Sequence, residues 1–424
     1  MTTKNKGCRA TAAMGAATLA ALVSAGPAAA TNGYFSNGYG AESKAMSGAG
    51  VAVDTGTVGL ALNPALGTTV GQRLDACVSL FAPDRGFTIG GAAPLTPGTY
   101  NSTNNLFLIP CFGANFRLND RSTLGVSVYG NGGMNTEYGA NPFIGLGAGT
   151  VPLGVNLEQL FIAATYSFDV SDQLTLGIAP TFAVQRFSAT GLQAFIPMSM
   201  NPGAVTNNGD DWSTGFGVSL GMLWRPSDEW AIGASYRTKM QMGAFDRYAG
   251  LFAEGGDFDI PATATLGAAY TPSGNSALTL TAEYQRIFYG GVAAIANSNA
   301  MLGAAPLGAG NGPGFGWTDM NVIRIGAIYA ASPQLTLRGG VSYASDFLRG
   351  TDEVLFNVLA PATPHWHASI GASYKISERM ELTGAYTHAF ESEVSGANLT
   401  PGFGQPVTLR MYQNELTFGL SYKW

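Results

Sequence analysis

The sequence predicts an all-β membrane protein: a transmembrane antiparallel β-barrel of about fourteen strands with an N-terminal hatch, or plug, inside its lumen. Three observations carry this. Charged residues make up only 11% of the 424 positions, far below the roughly 25% of soluble domains. Hydrophobic residues reach 46%, yet beyond position 30 no apolar run is long enough for a membrane helix of about 20 residues. The apolar residues instead alternate with small or polar ones over segments of about ten residues, the length a tilted strand needs to cross a bilayer.

In chain order, Lys4, Lys6 and Arg9 precede the apolar stretch Ala10 to Val23, and Ala28-Ala29-Ala30 offers a small-residue cleavage site. Residues 1–30 therefore read as a secretory leader. Cys77 and Cys111 then belong to an oxidising compartment, where a disulfide and a pair of quiet thiols both remain open. Residues 31–70 carry no strand pattern. Residues 71–424 carry it almost throughout.

The strands are punctuated by six short polar turns: 118–122, 169–173, 225–229, 271–276, 331–334 and 375–379. Asp, Asn, Ser, Pro and Gly populate them because these residues preset turn angles or bond the local backbone. Two segments show the alternation plainly. Phe216, Val218, Leu220, Met222 and Trp224 oppose Gly215, Gly217, Ser219 and Gly221, and Leu416, Phe418, Leu420, Tyr422 and Trp424 oppose Glu415, Thr417, Gly419, Ser421 and Lys423. A third such segment reads Phe258, Ile260, Ala264, Leu266 and Tyr270. A Gly-x-x-Tyr tetrad recurs, as at Gly233–Tyr236, Gly326–Tyr329 and Gly371–Tyr374, fitting the aromatic girdles of a barrel. Six short turns with both termini on one side imply seven hairpins. The longer connections, near 82–104, 139–156, 189–211, 242–257, 289–316, 346–362 and 392–407, then lie outside the cell. A barrel of that size leaves a lumen that wall side chains cannot fill, and residues 31–70 are the piece available to fill it.

The stretch YFSNGYGAESKAMSGAGVAVDTGTVGLALNPAL, residues 34–66, resembles the N-terminal hatch of FadL-type long-chain fatty-acid transporters of Gram-negative outer membranes. Asn63-Pro64-Ala65 falls where that family has its NPA motif, and the likeness extends through the strands to the aromatic C-terminus. The resemblance implies passive uptake of hydrophobic compounds, fatty acids or hydrocarbons, by a cofactor-free outer-membrane protein. It also implies a monomer among outer-membrane lipid and lipopolysaccharide, with Trp424 as the signal read by the barrel assembly machinery.

Four groups of residues are candidates for that function. Asn63, Pro64 and Ala65 form a turn that starts or stops a helix, either packing the plug or moving when ligand arrives. Gly130, Asn131, Gly132 and Gly133 weaken the third strand and mark a bulge; the resemblance implies a kink there that opens sideways to lipid. The uncharged loops Gly139 to Leu157, Ser188 to Gly209 and Tyr289 to Gly316 present Phe143, Ile144, Leu192, Phe195, Ile196, Met198 and Met200. These residues either capture a greasy solute or bury one another as a lid. By parity Arg117, Arg324, Arg338, Glu283 and Glu415 face inward, with Arg186 and Arg237 at strand ends. Arg186, Arg324 and Arg338 are the candidates for an acidic head group, against the alternative that such charges tie the plug to the wall.

Other classes fare worse. A net charge of −6 argues against a nucleic-acid partner. His365 and His367, two apart, share a face but lack the further ligands of a closed zinc site. With only His388 besides, a catalytic triad is not assembled. The rival reading is a general diffusion porin or a structural barrel, though a porin favours charged rings over greasy loops.

Overall fold

The computed structural model describes residues 32–92, 94–350, 352–397 and 404–424; the leader lies outside them. Fourteen strands form the wall: β1 Arg73–Ile89, β2 Phe107–Asn119, β3 Ser122–Glu137, β4 Gly154–Asp169, β5 Leu174–Thr190, β6 Asp211–Trp224 and β7 Trp230–Arg237. They continue as β8 Thr263–Tyr270, β9 Leu278–Ile287, β10 Met320–Ala330, β11 Leu335–Ala344, β12 Trp366–Lys375, β13 Met380–Ala397 and β14 Pro406–Lys423. Each pairs antiparallel with its sequence neighbour, and β14 closes the barrel on β1 from Arg73↔Lys423 to Ile89↔Val407. All six short turns join consecutive strands at one end, as their composition predicts. The wall also reaches further than the turn pattern indicated, because β1, β13 and β14 extend into segments read as loops.

Side-chain polarity is inverted relative to a soluble protein. Phe216, Leu220, Leu416, Phe418 and Ile370 face outward, whereas Glu415, Thr417, Ser369 and His367 are buried inside. Only a bilayer makes the first set favourable, by removing its apolar area from water. Exposed Trp230, Tyr329, Tyr374 and Tyr422 ring the short-turn end, and Tyr236, Tyr343 and Trp366 the other, two aromatic belts. Residues 257–262 depart from the predicted strand: β8 starts at Thr263, and Phe258 and Ile260 are buried within the loop that precedes it. The alternation there reflects packing into the lid, which period-2 patterning cannot distinguish from a wall face. The two histidines separate as well, since His365 precedes β12 and bonds in the loop while His367 is buried inward.

The hatch occupies the bore and is buried along nearly its whole length. It consists of short turns, among them α1 Ala41–Lys44 and a 3₁₀ turn Pro64–Leu66. Wall glycines explain how it fits. A Cβ on Gly177 or Gly221 would overlap the backbone or side chain of Asn63–Ala65, and one on Gly233 would overlap Val51. The small lumenal residues are therefore where hatch backbone meets wall backbone. Cys77 and Cys111 face each other in the β1–β2 register, Cα atoms 4.9 Å apart, and are joined as a disulfide.

Candidate functional site

Among the described residues the longest break in pairing between neighbouring wall strands lies at the seam between β2 and β3. The β2–β3 ladder covers only Phe112–Asn119 against Val128–Ser122. Above it β2 keeps β1 as partner, and β3 keeps β4 through Glu137. Two sequence features end the ladder. Pro110 in β2 has no N–H to give, and the β3–β4 register slips between Gly130 and Gly132 so that Asn131 is an extra, bulged residue. Higher up the seam is crossed again, where Thr103 N–H reaches Glu137 O (2.8 Å) and Ser102 bridges Tyr138.

Between those crossings the hatch supplies the missing neighbour. Phe35 forms a bridge with Gly132, Ser36 N–H donates to Asn131 O (2.8 Å), and Gly133 N–H donates to Tyr34 O (3.0 Å). Backbone groups at membrane depth must be paired within the protein, and here three hatch residues do it. Tyr34 packs within 6.1 Å of the rings of Phe35, Phe258, Tyr289 and Trp317. Tyr39 lies over Tyr129 (4.7 Å) and donates to Asn131 Oδ1 (2.8 Å).

That same oxygen accepts from Arg237 Nη1 (3.1 Å). Arg237 is buried, its guanidinium 5.1 Å from the centroids of both Phe35 and Phe161, and its Nε has no partner. Among the described residues no carboxylate lies within ion-pair distance of it. The three arginines singled out from sequence differ. Arg186 sits at the rim with Glu158 and Asp210, Arg324 pairs with Glu283 (3.1 Å), and Arg338 pairs with Glu42 (3.1 Å). Their charges are already met by acids, and those of Arg324 and Arg338 belong to the network that fastens the hatch. Arg117 lies on the inward face but is exposed at the short-turn end. Parity predicted which arginines face inward but not which acid each meets. The signal that could have marked Arg237 was its place at the end of a short strand, away from any inward acid.

The Asn63-Pro64-Ala65 motif lies deep in the hatch. Asn63 Oδ1 caps the Pro64–Leu66 turn by accepting from Ala65 N–H (3.0 Å), and Nδ2 donates to Val51 O (2.7 Å) and Met222 O (3.0 Å). Asn is needed because one side chain must both accept and donate, and Pro costs nothing at the first position of a turn. At the extracellular end Phe143, Leu192 and Phe195 are buried in an apolar lid, with Phe143 and Phe195 edge to face at 5.0 Å. Ile196 and Met198 are half-buried against it, and Ile144 and Met200 are exposed. Leu192, Phe195, Phe187, Phe252 and Phe356 line a cavity of about 40 Å³, room for a few waters at most. A larger molecule enters only if the lid moves.

A closed β-barrel with lipid-facing apolar residues, a filled bore, a broken seam and a greasy lid defines an outer-membrane channel protein for hydrophobic compounds. Comparison with known proteins is specific. Residues 17–424 match the family described as outer membrane protein transport protein (OMPP1/FadL/TodX), and the chain belongs to that family. Its fold is that of the Pseudomonas putida toluene transporter TodX (19% identity, TM-score 0.70, 92% of this chain and 99% of that one). A Pseudomonas aeruginosa FadL homologue (18%, 0.67, 92% and 99%) and the Ralstonia pickettii toluene transporter TbuX (20%, 0.63, 92% and 99%) share it. No curated protein matched. The family is one of passive transporters in the outer membrane, not of enzymes.

Proposed function

We propose that the protein takes up fatty acids or hydrocarbons passively, capturing them at the apolar loops, holding them beside the hatch and releasing them sideways through the β2–β3 seam. Residues 1–30 act as the leader, 31–70 as the hatch and 71–424 as the barrel. The observation that carries the reading is the seam. A stretch of β3 has no strand on its β2 side, and hatch residues Tyr34 to Ser36 take up its hydrogen bonding there. Withdrawal of that segment uncovers a side opening and a lumenal pocket in one movement.

Energetics favour the sideways route. Each buried CH₂ contributes about 0.8 kcal/mol, so a long acyl chain in a greasy pocket is held by roughly 10 kcal/mol. Release into water forfeits that; release into lipid does not. Beneath the hatch lies a vestibule of about 790 Å³ lined by Glu42, Asp54, Arg73, Arg225, Glu229 and Lys423, a charged exit unsuited to such a solute. Arg237, a buried arginine at the seam with no acid within ion-pair distance, supports a carboxylate-bearing substrate over a bare hydrocarbon.

The test is a staple, F35C/G132C. Oxidised, it should stop uptake of a labelled fatty acid by cells; reductant should restore it. Uptake that continues with the staple shown closed by mass spectrometry rules out the seam.

A further inference from the structure

A second cavity stands apart from the lid and the seam. It lies outside the membrane between residues 346–350 and 357–365, in the connection from β11 to β12, and the extended tips of β13 and β14. Its walls are Phe347, Leu348, Val394 and Leu409, and its volume is about 270 Å³. That exceeds the roughly 150 Å³ cavity known to hold benzene. Unlike the lid cavity, this one already has the volume for a small-molecule guest.

Its mouth is polar. His365 Nδ1 lies 2.9 Å from Ala344 O, and Nε2 lies 3.3 Å from Asp346 Oδ1. Both ring nitrogens are thus turned toward groups of the loop itself. The Asp346 carboxylate is solvent-facing, its side chain 85% exposed, so its oxygens can accept from a guest donor while repelling a guest anion. Tyr343 stacks on His365, and Tyr343 and Trp366 face outward in the extracellular aromatic belt. The mouth therefore opens where membrane meets water, the zone in which small amphiphiles collect. On the inner side Phe347 packs on Trp317 (4.6 Å), and Trp317 packs on Tyr34 of the hatch (6.0 Å).

We propose that this cavity binds an uncharged hydrocarbon bearing a hydroxyl, such as a phenol or a medium-chain alcohol. The apolar body lies on Phe347, Leu348 and Leu409, and the hydroxyl donates to Asp346. The aromatic chain to Tyr34 makes it a second point of access to the hatch; that role rests on the uptake reading, but binding does not.

The experiment uses the full protein in detergent, photolabelled by decanol and by decanoate that carry the same diazirine, with adducts mapped by peptide mass spectrometry. The alcohol should label peptides containing Leu348 and Leu409 about fivefold more than the acid, the yield of one hydrogen bond near 1 kcal/mol. Ala362→Trp, which fills the cavity, should reduce that labelling by at least about tenfold and leave adducts near Phe195 unchanged. Asp346→Asn, at an exposed position that leaves the fold intact, should bring the two probes to equal labelling. No adduct in these peptides, equal labelling of the unaltered protein by both probes, or labelling that persists in A362W would each overturn the site. Because labelling is read on purified protein, a failed staple in cells leaves this result untouched.

Discussion

The two halves of the hatch meet the wall by different chemistry. From Gly40 to Val70 apolar packing is joined by buried ion pairs and charge-assisted hydrogen bonds to the wall. Glu42 pairs with Arg73 and Arg338, Lys44 with Glu415, and Asp75 accepts from both the N–H (2.6 Å) and the hydroxyl (2.7 Å) of Thr57. Glu283 accepts from Gly50 and Val51 N–H, each 3.0 Å, while paired to Arg324. From Asn32 to Tyr39 the contacts are aromatic rings, two backbone bonds to a bulged strand and side-chain bonds such as Tyr39 to Asn131 (2.8 Å) and Asn37 to Ser342 (3.3 Å). Pulling a buried ion pair apart strands a charge at low dielectric. Sliding rings from one apolar neighbour to another costs little. In the proposed route the lower half is thus the anchor, and the upper half is the part that moves.

The largest effect should come from breaking the anchor. Glu283→Leu leaves Arg324 uncompensated and two hatch N–H groups unpaired, a loss of about 3–5 kcal/mol. It should appear as a lower unfolding temperature and as ion leakage in planar bilayers; a stable, silent channel would contradict the division into halves. Asn63→Ala removes a cap and two donated bonds, costing about 2 kcal/mol, again read by thermal unfolding.

The upper half should respond in transport and not in stability. Arg237→Met is expected to slow fatty-acid uptake about tenfold while an alkane of equal length is unaffected. Equal slowing of both would assign Arg237 to structure alone. Tyr39→Phe deletes one bond of about 1 kcal/mol to the bulge, so hydrogen exchange at residues 34–36 should quicken severalfold with the unfolding temperature unchanged.

The smallest effect concerns pH in the lid. Burial, with Asp259 and Glu254 nearby, raises the Asp257 carboxyl from its ordinary value to about 6. A carboxyl raised on folding binds its proton more tightly in the folded state. The loop should therefore be firmest at acid pH and loosen as pH climbs from about 4 through 6, seen as faster exchange across 250–260. Asp257→Asn should flatten that profile.

Strand count, turn positions and outward faces were legible in the sequence because each depends on neighbours within about ten residues. The bulge at Asn131 was legible too, since three glycines in four positions weaken any ladder. Its closure by Tyr34–Ser36 was not, because those residues lie almost a hundred positions away and carry no strand pattern. For the same reason the greasy loops read equally as capture surface or lid. Phe143, Leu192 and Phe195 prove to be buried while Ile144 and Met200 are exposed, a split that only packing partners decide.

By itself, then, the sequence determined a barrel with a filled bore, since alternation and turn chemistry are local and the bilayer permits only closed sheets. The tertiary structure decided which charges are spent on the anchor and left Arg237, beside the seam, without an acid. Ion pairing is a matter of distance in space, and Glu42, Arg73 and Arg338 become neighbours only when the ends of the sheet meet.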